Sequence, residues 1–217
     1  MIPIYCMPGM AANPKIFEYL DFPKPFQIFY LKWFPPKKSE SISRYALRMC
    51  EHVKHENPIL IGVSFGGVLV QEMARHIAVR KVVIVSSIKS KLELPLPMKM
   101  AQKTNAHKLL PTQWIKNIDT LTLFAFGKGI KTKLSLYQKY LSERDPDYLN
   151  WAIDSLVHWK QNSFHKDILH VHGVKDNVFP IKNLLPHYIP IPGGHAAIIT
   201  QSKWFNEELP KLLSDFS

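Results

Sequence analysis

The chain reads as an α/β fold, a doubly wound, mostly parallel sheet of about six strands with one inserted helical cap. Three observations predict it. Short apolar, β-branched runs bounded by Gly, Pro or Asn recur at 2–8, 26–33, 59–63, 81–87, around Val171 and at 188–192, the signature of strands buried on both faces. Segments with helical spacing lie between most of them, which implies parallel pairing through right-handed crossovers. The rhythm breaks between 88 and 167 and then resumes, which predicts a core of 1–87 and 168–217 with a cap of 88–167.

A chain of 217 residues, 46% of them apolar, is large enough to bury such a core. It has no run of eighteen apolar residues, so no membrane insertion is expected. Met1-Ile2-Pro3-Ile4-Tyr5-Cys6 lacks the basic start and the length of a signal peptide, and a cytoplasmic location is expected. Cys6 and Cys50 have no metal-ligand spacing and read as buried free thiols. The formal net charge is +11. Its basic residues are dispersed singly and in pairs, with no Arg-rich helix. That pattern argues against nucleic acid and for a solvated basic surface, and it leaves room for anionic substrates.

Taken in order, the strand at 2–8 closes into the turn Gly9-Met10-Ala11-Ala12-Asn13-Pro14, and 26–33 follows with the aromatic and β-branched content of a second strand. Beyond Pro35-Pro36, residues Ile42, Tyr45, Ala46, Met49 and Val53 recur at helical spacing, with Ser39 or Ser41 as the cap. Pro58 introduces the strand 59–63, a helix begins just beyond Ser64, and 81–87 is the fourth strand. The insertion holds 13 basic and 7 acidic side chains, so 6 of the 11 net charges are concentrated there. Its clearest helix starts at Asp145-Pro146, a capping residue followed by proline at the first helical position. Tyr148, Trp151, Ala152, Ser155, Leu156 and Trp159 then share one face, a stripe that reads first as packing. Trp114, Phe124 and Phe126 are candidates for a substrate pocket. A strand through Val171 leads to a loop with Asp176, the last strand opens into Gly193-Gly194-His195, and an amphipathic segment runs to Phe216.

The chemistry concentrates at Ile59-Leu60-Ile61-Gly62-Val63-Ser64-Phe65-Gly66-Gly67. Ser64 sits at a strand-to-helix corner, and glycines two before and two after it remove the side chains that would collide there. The hydroxyl is thereby pushed out beyond the sheet. The helix also points free N–H groups and its positive end at any charge that develops beside Ser64. A dinucleotide fingerprint would need glycine at 64 and an acidic residue after the next strand, where Val85-Ser86-Ser87 stands. A phosphate loop would need Lys where Val68 stands. Both readings fail on residues. His170 and His172 share a strand face without a third ligand and read as strand-end hydrogen-bonding groups, as do His52 and His55 on their helix. No metal or cofactor is expected. His195 is the histidine in a glycine-flanked turn after a strand. The turn after the first strand faces Ser64 if the two strands are neighbours, and it then offers a backbone N–H, that of Met10, beside the one from Phe65.

These residues resemble the α/β-hydrolase superfamily over the whole chain except the cap. The nucleophile motif corresponds to Gly62-Val63-Ser64-Phe65-Gly66, the acid to Asp176 in His172-Gly173-Val174-Lys175-Asp176, and the base to His195 after Gly193-Gly194, in the superfamily's order. The resemblance implies a core that lacks the superfamily's first two edge strands. Pro8 stands where many members have His before the oxyanion-loop glycine. The implied activity is a serine hydrolase that cleaves carboxylic esters or thioesters of a small to medium molecule through an acyl-enzyme on Ser64. His195 would be the base, Asp176 its orienting acid, and Phe65 and Met10 the oxyanion donors. Competing expectations are C–C hydrolysis or haloperoxidase-like chemistry on the same triad, and a ligand-binding protein without catalysis. Monomer and homodimer are both compatible with the sequence.

Overall fold

The computed structural model describes residues 1–104, 139–162 and 167–214. Six strands, β1 (Ile2–Met7), β2 (Phe26–Tyr30), β3 (Ile59–Val63), β4 (Lys81–Val85), β5 (Ile168–Gly173) and β6 (Ile189–Ile191), form one sheet in the order β2-β1-β3-β4-β5-β6. Every pairing is parallel. The helices are α1 (Ile42–Cys50), α2 (Phe65–Met73), α3 (Leu96–Thr104), α4 (Pro146–Val157), α5 (Ala197–Thr200) and α6 (Ser202–Ser214). The first crossover steps to one side of β1 and all later ones to the other, so the order reverses between β1 and β3. The loops that follow these two strands face each other at the carboxyl edge, which is where ligands bind in open parallel sheets.

Side chains on β1 alternate between two cores, because successive residues of a strand point to opposite faces. Tyr5 and Met7 enter one with Tyr45 and Met49 of α1 and Leu69 of α2. Ile4 and Cys6 enter the other with Phe17 of the 3-10 turn Pro14–Phe17 and Phe205 and Leu209 of α6. Cys6 and Cys50 are free and buried.

Between β4 and β5 the described residues contain no strand. They hold the 3-10 turn Lys91–Glu93, α3 and α4. The expected start of α4 is present, with the Asp145 carboxylate accepting from Tyr148 N–H at 2.8 Å and Pro146 in the first turn. Its stripe is packing, as the periodicity suggests: Tyr148, Ala152, Leu156 and Trp159 lie in the core of α1 and α2. Trp159 Nε1–H donates to Glu72 at 2.8 Å and Trp151 Nε1–H to the Glu40 carbonyl at 2.7 Å. Trp114, Phe124 and Phe126 lie outside the described residues.

β2 and β4 stop two or more residues before the ends of their apolar runs. β2 ends at Tyr30, whose partner is Cys6 near the end of β1. Leu31 N–H donates the last bond to Cys6 O at 3.0 Å, and beyond it Trp33 is buried in the interior. β4 ends at Val85 because Ser86 takes a positive φ of 47°.

Candidate active site

One residue joins β3 to α2. Ser64 has φ 53° and ψ −122°, a conformation that costs a non-glycine residue on the order of 1–3 kcal/mol. The surroundings hold it there. Its N–H donates to Val85 O at 2.9 Å, and its carbonyl accepts from Gly67 N–H at 2.9 Å and from Ser87 Oγ at 2.7 Å. A Cβ on Gly62 would run into the backbone of Gly66 and Gly67, so the corner closes only when residue 62 has no side chain.

The Ser64 hydroxyl meets His195 Nε2 at 2.9 Å, and His195 Nδ1 meets Asp176 Oδ2 at 2.8 Å. A carboxylate only accepts, so Nδ1 carries the proton and Nε2 is free to accept from the hydroxyl. Asp176 and His195 reach each other because their loops touch: Lys175 N–H donates to Gly193 O at 2.8 Å, and a Cβ on Gly173 would strike the carbonyls of Gly193 and Gly194. The other carboxylate oxygen of Asp176 accepts from Val178 N–H at 2.8 Å and Phe179 N–H at 2.9 Å. Burial by itself would raise the Asp176 carboxyl. The facing His195, with hydrogen bonds from His172, His195 and Phe179 N–H, outweighs it and holds the group well below the usual carboxylate range.

His170 and His172 are buried beneath the acid. His172 Nε2 lies 2.8 Å from Phe179 O and 3.3 Å from Asp176 Oδ2. Both are acceptors, so this nitrogen carries the proton. His172 Nδ1 then accepts from His170 Nε2–H at 2.9 Å. Desolvation holds His170 well below the ordinary imidazole value and hence neutral. Among the described residues no cluster of His, Cys, Asp or Glu is suited to a metal ion.

Ser64 and His195 open on a cavity of about 100 Å³ whose walls include Met10, Ala12, Ile16, Phe65, Leu141 and Ile198. Phe65 is the first residue of α2, so its N–H has no acceptor within the helix. Met10 follows β1 in the loop that faces it. Four of the five residues expected at the site, Ser64, His195, Phe65 and Met10, line this cavity, and Asp176 stands behind His195, in contact with its Nδ1. Two contributors were not identified as such in the sequence. His172 reads there as a hydrogen-bonding strand residue with no named partner. Trp33 reads as the end of a strand, whereas its indole N–H donates to Gly9 O at 2.9 Å. Neither carries a local motif, since each acts through a contact set only by the tertiary fold.

No protein-family model and no curated protein sequence matches the chain. Solved structures do. A thermophilic esterase from Thermogutta terrifontis superposes with a TM-score of 0.67 at 14% identity, over 100% of this chain and 90% of that one. A hydrolase from Pseudomonas aeruginosa PA01 gives 0.75 at 11% identity, over 98% and 89%. A bromoperoxidase from Bacillus anthracis gives 0.66 at 19% identity, over 99% and 92%. At these identities the likeness establishes the fold, that of the α/β-hydrolases.

Proposed function

On this α/β-hydrolase fold, we propose a serine hydrolase that cleaves carboxylic ester or thioester bonds of small to medium substrates. The observation that carries the reading is the unbroken row of hydrogen bonds from Asp176 through His195 to Ser64. Its hydroxyl end faces a cavity lined by both Met10 and Phe65.

A serine hydroxyl is a weak nucleophile until a base removes its proton during attack. His195 Nε2 takes that proton as Oγ adds to the substrate carbonyl, and Asp176 holds the imidazole in the required tautomer and stabilises its charged form. The carbonyl oxygen becomes an oxyanion that the Phe65 and Met10 N–H groups receive. Collapse expels the alcohol or thiol, which leaves with the proton from His195. Water then gives its proton to the same imidazole as it attacks the acyl carbonyl, and collapse breaks the bond to Ser64 Oγ, which takes that proton back from His195 as the acid is freed.

The apolar walls favour a short acyl group, with Trp114, Phe124 and Phe126 as further candidates for the pocket. Among the described residues no helix is long and apolar enough to cross a membrane. Two buried free thiols support placement in the cytoplasm. The test is hydrolysis of p-nitrophenyl esters in a chain-length series by wild type, Ser64→Ala and His195→Ala. The expected result is turnover that favours short acyl chains and is lost in both variants. Turnover that survives Ser64→Ala removes the proposed nucleophile. A wild type that cleaves a diketone and no ester moves the reading to C–C hydrolysis.

A further inference from the structure

The donor assigned to Met10 belongs to the Gly9–Met10 peptide, and that peptide is gripped from behind. In a trans peptide the C=O and the following N–H point in opposite directions, so whatever fixes the Gly9 carbonyl also aims the Met10 N–H. Trp33 Nε1–H donates to that carbonyl at 2.9 Å in a buried contact, and Ala12 N–H donates to it at 3.1 Å. Trp33 itself does not line the cavity and is 8% exposed, so the indole stands on the far side of the loop. Its ring stacks on that of Phe65, centroids 5.4 Å apart and planes 11° from parallel. One side chain therefore braces both residues that supply the oxyanion donors.

The brace matters because residue 9 is glycine, whose backbone turns easily. A Cβ at this position would sit 3.3 Å from Ser64 Cβ, so the peptide lies directly against the nucleophile. Turned over, it would present its carbonyl oxygen where negative charge develops, replacing an attraction with a repulsion.

We propose that Trp33 is a positioning residue for ester hydrolysis: its indole N–H locks the Gly9–Met10 peptide with the N–H toward the oxyanion while its ring steadies Phe65. This rests on the serine-hydrolase reading above. The test compares wild type, Ser64→Ala, Trp33→Phe and a protein with 3-benzothienylalanine at position 33, which keeps the bicyclic shape and deletes only the N–H. Both position-33 proteins are expected to lose about ten- to a hundredfold in kcat, less than the hundred- to thousandfold typical of losing a donor outright. KM should stay within about twofold, since the lost interaction acts in the transition state. Inhibition by a trifluoromethyl ketone, whose adduct places an oxyanion on the same donors, should weaken by the same factor, while the thermal midpoint of the benzothienyl protein stays at the wild-type value. Wild-type kcat in the benzothienyl protein overturns the role of Trp33 and leaves the parent reading standing, as does a loss carried by KM or by unfolding alone. A wild type without Ser64-dependent ester turnover ends the parent reading, and this proposal with it.

Discussion

Asp176 concentrates the electrostatics of the site in one side chain. Burial opposes its charge, and the facing His195, with hydrogen bonds from His195, His172 and Phe179 N–H, more than offsets that opposition. A carboxyl whose folded value is depressed contributes stability that is complete above the unfolded value of about 3.9 and is lost as pH falls from there toward the folded value. Unfolding followed by denaturant titration is therefore expected to show stability falling below about pH 4, with a shallower fall in Asp176→Asn. The same variant should lose kcat by about ten-thousandfold, the scale seen when an amide leaves a triad histidine in the wrong tautomer; an unchanged kcat removes Asp176 from its orienting role. Replacing His172 by Leu leaves the Phe179 carbonyl without its imidazole donor. The cost expected for one unsatisfied buried acceptor is about 1–3 kcal/mol, read as a lower denaturation midpoint.

At the scale of the element, the corner between β3 and α2 depends on close backbone approach. The atoms that a Cβ on Gly62 would meet are main-chain atoms of Gly66 and Gly67, which no rotamer change can move aside. Gly62→Ala is expected to cost at least about 1–3 kcal/mol, the range for overpacking a tight interior, and to reduce ester turnover because Ser64 shifts with the corner. Asp145→Ala tests the start of α4 separately: loss of the bond to Tyr148 N–H should lower stability by about 1 kcal/mol, measured by chemical denaturation. Both features are legible before any coordinates because their causes are local. Glycines within a few residues of Ser64 and a proline after Asp145 act on their own neighbourhood. Strand ends were less legible. The apolar run 26–33 continues beyond β2, and only the register with β1 shows that the ladder stops at Tyr30 and releases Trp33 to the interior.

For the molecule as a whole, a parallel, doubly wound sheet could be anticipated because strands alternate with helices, whereas the strand order comes from the structure, and its reversal between β1 and β3 fixes where a site must lie. Ser64, Asp176 and His195 each end a strand or follow one, so the same topology that builds two cores also gathers them at one edge. Contacts such as Trp33 with Gly9, between segments apart in sequence, or His172 with Phe179, across the loop that follows β5, have no sequence signal and emerge only from packing. The pocket candidates Trp114, Phe124 and Phe126 fall outside the described residues, among which Met10, Phe65, Leu141 and Ile198 wall the cavity beside Ser64 and His195. The most direct test of the account is reaction with a fluorophosphonate followed by peptide mass mapping. The account predicts a single adduct on Ser64, formed far more slowly in His195→Ala and absent from Ser64→Ala. An adduct on another residue, or labelling that persists after Ser64→Ala, would contradict it.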